Sequence, residues 1–556
     1  MRVKKFMVVL AYIMIFLFQL GCANSLDNTD ISQAGLYDAG SAIDEVFSLF
    51  IMDPRQEPID LSNTAVGIKV SKLTGVKLKT EYISSSDEKT KASFMVATKD
   101  YPELIAPHNE YATFKAAGAL VPLDDYIDKY GQNIKKIYTE QELNMLRDPI
   151  DGHIYYLTPY RKNSRLLYPS SGFYLPITAL RELDWPKVTS FDQYFEIIRN
   201  YVRANPVYNG EPTIGFTALT DNWRIYTLFN APNYLAGNPN TGGVWVDKNY
   251  EAHSFMLSDW AYKYYKKLNE LWNEGLLDKD MFTQNYDAYK AKIASGRVIG
   301  FYDERWQIQD AIDMLEKQGL FDRVPIAMPV VFDGVNKEAY NGISVMGTGA
   351  GICITRNCED PEAAFKFIDK MASEEVLKVV YWGFEGVDYT VQNGKFTLTD
   401  AQLERMNDPD YVRKRGLGSF WLFPHPDGGA KFSDGNYVFP QDTAEYMNYK
   451  YKDYEKEVLK AYNLTSMADL MAPPLETPYG FVWDIPIPDS EPEIKAANQK
   501  ASDIARKYTA RLIMSAPEQY DLLWQEYADE MENANYDMAD QFLTGEIKRR
   551  VVERDK

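Results

Sequence analysis

The feature that most constrains this chain is an ordered alternation of strand and helix signals in its first part. Ala42 to Phe50 alternates apolar and polar residues with the period of a strand. Ser71 to Leu78 (SKLTGVKL) closes a helix at Thr74-Gly75 and opens a second strand. In Phe94–Pro107 an amphipathic segment gives way to Pro102–Ile105, a short buried strand. Tyr111 then begins a helix that Gly118 stops. Strand and helix alternating in this order imply a parallel sheet covered by helices.

The pattern continues downstream. Asp151-Gly152 makes a turn into a strand through Tyr155-Tyr156, and Gly172–Leu175 is another strand. Thr189 opens a helix with Asp192 at its third position, and Phe191, Tyr194, Phe195, Ile198 and Tyr201 recur at helical spacing. Tyr262–Leu276 reads as a second long helix, Ser295–Tyr302 as a turn into a strand, and Gly351–Thr355 as a strand before a helix opened by Asp360-Pro361. The stretch 400–490 reads as long loops with short helices, and Gln499–Arg550 as helices with acidic faces.

The N-terminus carries a different signal. Arg2, Lys4 and Lys5 precede the uncharged, apolar run Phe6–Leu20, which ends at Gly21-Cys22. A basic start, a short apolar run and a small-residue exit describe a secretory signal, and the run is shorter than the roughly 20 residues of a spanning helix. The segment Gln19-Leu20-Gly21-Cys22 resembles the lipobox of bacterial lipoproteins. That resemblance implies a signal peptide over 1–22, lipid on Cys22, and a flexible polar tether over 23–39. An ordinary signal peptide that contains a cysteine is the plainer alternative.

Charge narrows the partners. The 556 residues carry a formal net charge of -20, which argues against a nucleic-acid partner, because phosphate binding needs clustered Lys and Arg. Aromatic residues make up 14% of the chain, a composition suited to carbohydrate binding, since flat apolar rings with a polar edge match sugar faces. Apart from Cys22 the cysteines are Cys353, in a strand, and Cys358, in the turn after it. Both are expected to be free thiols, and neither has metal-ligand spacing.

A series of short motifs in fixed order resembles the extracellular solute-binding lipoproteins of ABC importers, of the large oligosaccharide-binding type. The motifs are Tyr101–Ile105 (YPELI), Lys115–Leu123 (KAAGALVPL), Asp151–Tyr156 (DGHIYY), Leu271–Asp278 (LWNEGLLD), Ile293–Val298 (IASGRV), Cys358–Ala364 (CEDPEAA) and Glu385–Tyr389 (EGVDY). The resemblance implies an α/β chain with the two-lobed periplasmic-binding-protein type II fold, hinge strands and helical C-terminal additions. It places lobe 1 at 40–157 plus 345–400 and lobe 2 at 160–340 plus 401–556. The crossings fall at Leu157-Thr158-Pro159 and at the Gly347–Gly351 run. Many relatives hold calcium before the strand that matches Ile214-Gly215. Ala204–Thr213 lacks the alternating carboxylates calcium needs, so no metal and no cofactor is expected.

Catalytic signatures are sparse. The four histidines, His108, His153, His253 and His425, form no HExxH, and Gly342-Ile-Ser344 lacks the second glycine of a nucleophile elbow. Gly347, Gly349 and Gly351 precede a strand rather than a helix, so they read as a close backbone crossing rather than a phosphate loop.

Ligand sites in such sheets lie beyond the carboxyl ends of the strands. That rule selects His108, Asn109 and Glu110 after Ile105; Tyr160 and Arg161 after the Tyr156 strand; and Asp221, Asn222, Trp223 and Tyr226 after Phe216. It also selects Asp303, Glu304, Arg305 and Trp306 after Tyr302, and the family's EG loop adds Trp382 and Glu385. Relatives often place a stacking Trp where Trp306 stands.

The function implied is a membrane-anchored receptor, acting as a monomer, that hands an oligosaccharide to ABC permease subunits. A secreted carbohydrate-active enzyme and a sugar-sensing lipoprotein coupled to a membrane kinase are the alternatives.

Overall fold

The computed structural model describes residues 45–53, 58–83, 87–162, 166–239, 241–348, 351–480, 482–488 and 490–555. The signal peptide, Cys22 and the tether lie outside the described residues. Eight strands form two four-stranded sheets: β1 (Glu45–Ile51), β2 (Val76–Tyr82), β3 (Leu104–Ala106), β4 (Ser171–Pro176), β5 (Ile214–Phe216), β6 (Val298–Glu304), β7 (Pro325–Met328) and β8 (Cys353–Ile354). The first sheet has the order β8-β3-β1-β2 and the second β7-β4-β6-β5.

In the first sheet β1 runs parallel to β2, from Glu45 opposite Val76 to Ile51 opposite Tyr82, and parallel to β3. The connection from β1 to β2 includes the helix Ala65–Thr74. Thr64 caps its start by accepting the Gly67 N–H, and Gly75 ends it at φ 75°, a left-handed conformation that favours glycine. In the second sheet every residue of β4 and β6 is buried, so neither strand alternates, and β6 ends in two buried acids, Asp303 and Glu304. β6 is antiparallel to β4 and parallel to β5. The helix Phe191–Ala204 lies against this sheet, and its Tyr194 hydroxyl donates to the Tyr174 carbonyl at 2.9 Å. Ser190, one residue later than the expected Thr189, caps this helix by accepting the Gln193 N–H. The expected strand at Tyr155-Tyr156 forms only isolated bridges, at Ile154 and Leu157.

Two large apolar cores follow. One joins residues between Phe47 and Leu157 to Met346, to residues from Ile352 to Val380, and to Leu417–Phe423. The other joins Phe173–Tyr340 to residues from Tyr451 to Met471 and from Ala501 to Ala534. Each is therefore discontinuous in sequence. The expectation that all of 401–556 belongs with the second lobe needs correction. Leu417, Phe420 and Phe423 are in the first core, and Leu403, Phe432, Val438 and Tyr446 pack with Leu377 and Trp382 beside it. The apolar run Phe420–Phe423 is what draws this segment back to the first lobe. Cys353 and Cys358 are buried free thiols.

The chain passes between the cores three times, and two of the passing segments lie side by side. Leu157 and Ile352 exchange backbone hydrogen bonds at 3.1 Å in both directions, and Gly347 N–H donates to the Tyr160 carbonyl at 2.8 Å. A Cβ on Gly351 would stand 1.9 Å from the Leu157 carbonyl oxygen, and one on Gly347 2.9 Å from the Tyr160 Cβ. These two glycines are required by backbone proximity. Gly349 lies outside the described residues.

The strand directions fix what faces this crossing. β8 begins immediately after Ile352 and pairs antiparallel with β3, Cys353 opposite Ile105, so the carboxyl end of β3 points to the crossing. β4 starts after the chain has passed the crossing and sets Ser171 opposite Glu304, so the carboxyl end of β6 points there too.

Candidate functional site

At the end of β6 the chain turns into the helix Arg305–Lys317, whose first turn presents Trp306, 57% exposed. The loop after β5 turns at Asn222, φ 54°, and presents Trp223, 52% exposed. Trp223 and Trp306 lie with ring centroids 5.9 Å apart and planes 18° off parallel. Tyr226 joins them, 5.9 Å from Trp223 and 6.1 Å from Trp306. Two distant loops thus build one aromatic platform with two exposed indoles.

Polar contacts hold the platform from below. Asp303 has no exposed surface and accepts from the Tyr226 hydroxyl at 3.0 Å, the Tyr289 hydroxyl at 2.7 Å and the Gln307 amide at 3.0 Å. Burial pushes the Asp303 carboxyl above its ordinary range despite these donors. Burial, and then the charge of Asp303, raises Glu304 as well. Arg224 lies over the Trp223 ring at 4.6 Å and the Tyr286 ring at 4.2 Å, bracing the indole.

The first lobe contributes a smaller surface at its own carboxyl edge. Asp53 just beyond β1, His108 beyond β3, Tyr160 on the crossing, and Trp421 and Leu422 line one cavity. The Tyr160 and Trp421 ring centroids are 6.2 Å apart, and Tyr160 is 40% exposed. His108 Nδ1 lies 2.9 Å from Glu88 Oε2, Asn109 donates to the other oxygen of Glu88 at 3.5 Å, and Glu110 accepts from Thr113 at 2.8 Å.

Several residues selected from sequence are placed elsewhere. Arg161 is buried, with its guanidinium 3.2 Å from both oxygens of Glu142, 3.2 Å from Asp427 and over the Tyr138 ring, so it braces the crossing rather than offering donors to a ligand. Burial alone would raise the Glu142 carboxyl; Arg161 and the Thr139 N–H hold it below the ordinary range. Trp382 is fully buried, its indole N–H donates to the Tyr437 carbonyl at 2.9 Å, and Tyr389 and Phe396 surround it. It is a core ring because its apolar faces and its one polar atom are all satisfied inside. Glu385 is exposed on a turn that bridges to Tyr389, beside that same small core. Asp303 and Glu304 are buried supports, and Arg305 lies over the Tyr168 ring at 4.2 Å with Nε donating to Gln309. Asp221 accepts the Tyr286 N–H at 3.2 Å and so fixes the loop of Trp223.

Trp421 and Asp53 are the residues that sequence reasoning missed. Asp53 follows β1 directly, so the carboxyl-edge rule applied to the first strand selects it. Trp421 follows no strand and lies in an aromatic run of a loop-rich region, where no periodic signal marks it.

The stretch Ala204–Thr213 forms a hairpin in which Val207–Tyr208 pairs with Glu211–Pro212. Asn209 and Gly210, both left-handed, make its two-residue turn. Glu211 is the only carboxylate in that stretch. Among the described residues, Asp247, Glu251 and His253 bring candidate ligand atoms within 4.8 Å. Asp247 Oδ1 already accepts the N–H groups of Asn249 and Glu251, and Glu251 pairs with Lys548 at 2.8 Å, which accounts for the cluster as a hairpin turn.

Comparison with known proteins adds sequence and fold relationships. The family model described as bacterial extracellular solute-binding protein matches residues 70–378, over half of the chain. A relative from Streptococcus pneumoniae serotype 4, the fructooligosaccharide ABC transporter substrate-binding protein FusA, is 26% identical over 260 residues. That match spans 42% of this chain and 45% of the relative, less than half of its length. The solved structure of S. pneumoniae FusA in complex with kestose is similar with a TM-score of 0.58 at 16% identity, over 91% of this chain and 99% of that one. An HMO-binding, ABC-transporter-associated solute-binding protein from Bifidobacterium longum infantis gives 0.63 at 17% identity, over 92% and 99%. At these identities the structural likeness speaks for the two-lobed fold.

Proposed function

The chain belongs to the family of bacterial extracellular solute-binding proteins, and on that premise we propose that it is the lipid-anchored receptor of an ABC importer, binding an oligosaccharide between its two lobes. The observation that carries the reading is the platform of Trp223, Tyr226 and Trp306 on one lobe, at a carboxyl edge that points to the same crossing as the Tyr160–Trp421 surface of the other. Exposed rings on rigid element ends suit pyranose or furanose faces. Lobes closing over the sugar would bring the two surfaces to opposite sides of it.

Trp306, Trp223 and Tyr226 act as stacking rings in this reading. Tyr160, Trp421, Asp53, Asn109 and Glu110 receive the sugar on the first lobe. Oligosaccharide as the ligand class is supported by the relatives, one named for fructooligosaccharide and one for HMO. The permease subunits are the partners that such a receptor serves. Cys22 carries the lipid that holds the monomer on the outer face of the cytoplasmic membrane.

The chain acts without catalysis. Asp303, the acid nearest the platform, is enclosed by three side-chain donors and cannot reach a glycosidic bond. The test is titration of the purified chain with a panel of fructo-, galacto-, malto- and milk-type oligosaccharides, with product analysis. Saturable binding of one class with the sugar recovered intact is expected; cleavage of the bound sugar, or binding of none, overturns the reading.

A further inference from the structure

Beside the C-terminal helices lies a half-open cavity of about 560 Å³, and none of its lining residues belongs to the crossing or to the ring platform. A volume of this order matches small-molecule sites.

Four pieces of chain build it, one of them running from Met531 to Leu543. The hairpin with Val244 opposite Ser254 forms one wall. It is fixed to the helix Met538–Arg554 because Ser254 N–H donates to Asp540 Oδ2 at 2.6 Å and Ala252 N–H to Thr544 at 2.9 Å. The second wall is the start of the helix Pro492–Met514, where Lys495, Asn498 and Gln499, spaced three and four residues apart, share one face. The third piece is the short turn carrying Trp483, whose indole is 48% exposed. Trp483 backs onto Gly242, where a Cβ would stand 3.0 Å from the Trp483 Cβ.

The lining chemistry selects the ligand class. The lining mixes apolar Val244, Met531 and Leu543 with the amides of Asn498 and Gln499 and the Asp540 carboxyl. A wholly apolar ligand would strip water from those polar groups without replacing its hydrogen bonds. An anionic ligand would meet Asp540. A neutral polyol with one apolar face suits both kinds of lining group, with the half-exposed Trp483 as the stacking surface.

We propose that this cavity is a second carbohydrate site, taking one or two sugar rings and independent of the site at the crossing. Asp540 Oδ1 and the Asn498 amide hydrogen-bond ring hydroxyls, and Trp483 covers the apolar face.

The test uses saturation-transfer NMR and calorimetry with glucose, galactose, fructose, sucrose and maltose. The proteins are the full chain, Trp306→Ala, Trp483→Ala and Asn498→Ala, each checked for an unchanged melting temperature. At least one probe is expected to saturate the wild type and Trp306→Ala equally. The same probe should bind at least about fivefold more weakly to Trp483→Ala and to Asn498→Ala. Asn498 is an exposed helix position, so its variant remains informative if Trp483→Ala fails to fold. Absence of binding to Trp306→Ala by every probe, or equal affinity in the Trp483 and Asn498 variants, overturns the proposal. Oligosaccharide binding lost in Trp306→Ala while the small probes still bind would leave both sites standing. Small probes binding with no oligosaccharide bound by the wild type would overturn only the function proposed for the crossing.

Discussion

The Tyr226 hydroxyl donates to Oδ1 of Asp303 at 3.0 Å, tying a ring of the exposed platform to a carboxylate that has no exposed surface. The same carboxylate takes Tyr289 and Gln307, so one buried acid sets the position of the loop after β5 and of the helix after β6. The exposed platform is held in place because both oxygens of this buried carboxylate are taken up by its side-chain donors.

Tyr226→Phe tests that support. The variant removes one of several donors to Asp303 and keeps the ring. A stability loss of about 1 kcal/mol is expected, with oligosaccharide affinity falling by roughly threefold through a looser platform. Thermal unfolding and calorimetry on one preparation measure both. Unchanged affinity would show that Tyr226 does not position the indoles.

Glu304 makes stability depend on pH. Burial, with the Asp303 charge beside it, pushes its carboxyl up to about 8. The folded chain therefore holds this proton where the unfolded chain has released it, and stability falls as pH rises from the ordinary carboxylate range near 4.5 through 8. Glu304→Gln cannot ionise. It should melt higher than wild type at pH 8.5, by roughly 2–6 °C, with the gap closing toward pH 4.5. A gap that widens at low pH contradicts the assignment.

Two glycines should respond in opposite directions to alanine. Gly351→Ala drives a methyl onto the Leu157 carbonyl and should cost about 2–4 kcal/mol, disrupting the crossing. Gly545 lies within the helix Met538–Arg554 with open space where a Cβ would go, so Gly545→Ala should stabilise by about 0.5–1 kcal/mol. Melting temperatures of the two variants check both signs.

The anchor reading predicts the fate of Cys22→Ser. Acyl chains contribute about 0.8 kcal/mol per buried methylene, enough for stable attachment when two or more are present. The variant should be released or remain unprocessed on cell fractionation. A mature-sized variant that still sediments with membranes contradicts lipidation at this cysteine.

Much of the fold was legible because its strands alternate with helices whose stops are glycines. Gly75 and Gly118, read as helix ends, both take the left-handed conformation. Gly347 and Gly351 of the crossing were legible for a related reason, since they precede a strand instead of a helix. The membership of residues 401–446 was not legible. Its apolar groups, such as Phe420 and Phe432, carry no period that says which core they fill. The site divided along burial. Trp223 and Trp306 follow strand ends and are exposed. Trp382 is the last residue of a helix, inside a small core, and looks identical in sequence. Arg161 was read as a ligand donor because its partners Glu142 and Asp427 lie far away in the chain, and only the fold brings them within 3.2 Å.

The central claim, that sugar is held between the two lobes at the crossing, is tested most directly by one comparison. The oligosaccharide that binds the wild type tightest is titrated into Trp306→Ala and into Trp421→Ala, with melting temperatures measured alongside. Both variants should remain folded, and each should bind about tenfold to thirtyfold more weakly, since a central aromatic anchor contributes about 2 kcal/mol and each 1.4 kcal/mol is tenfold. Wild-type affinity in both folded variants would contradict the account.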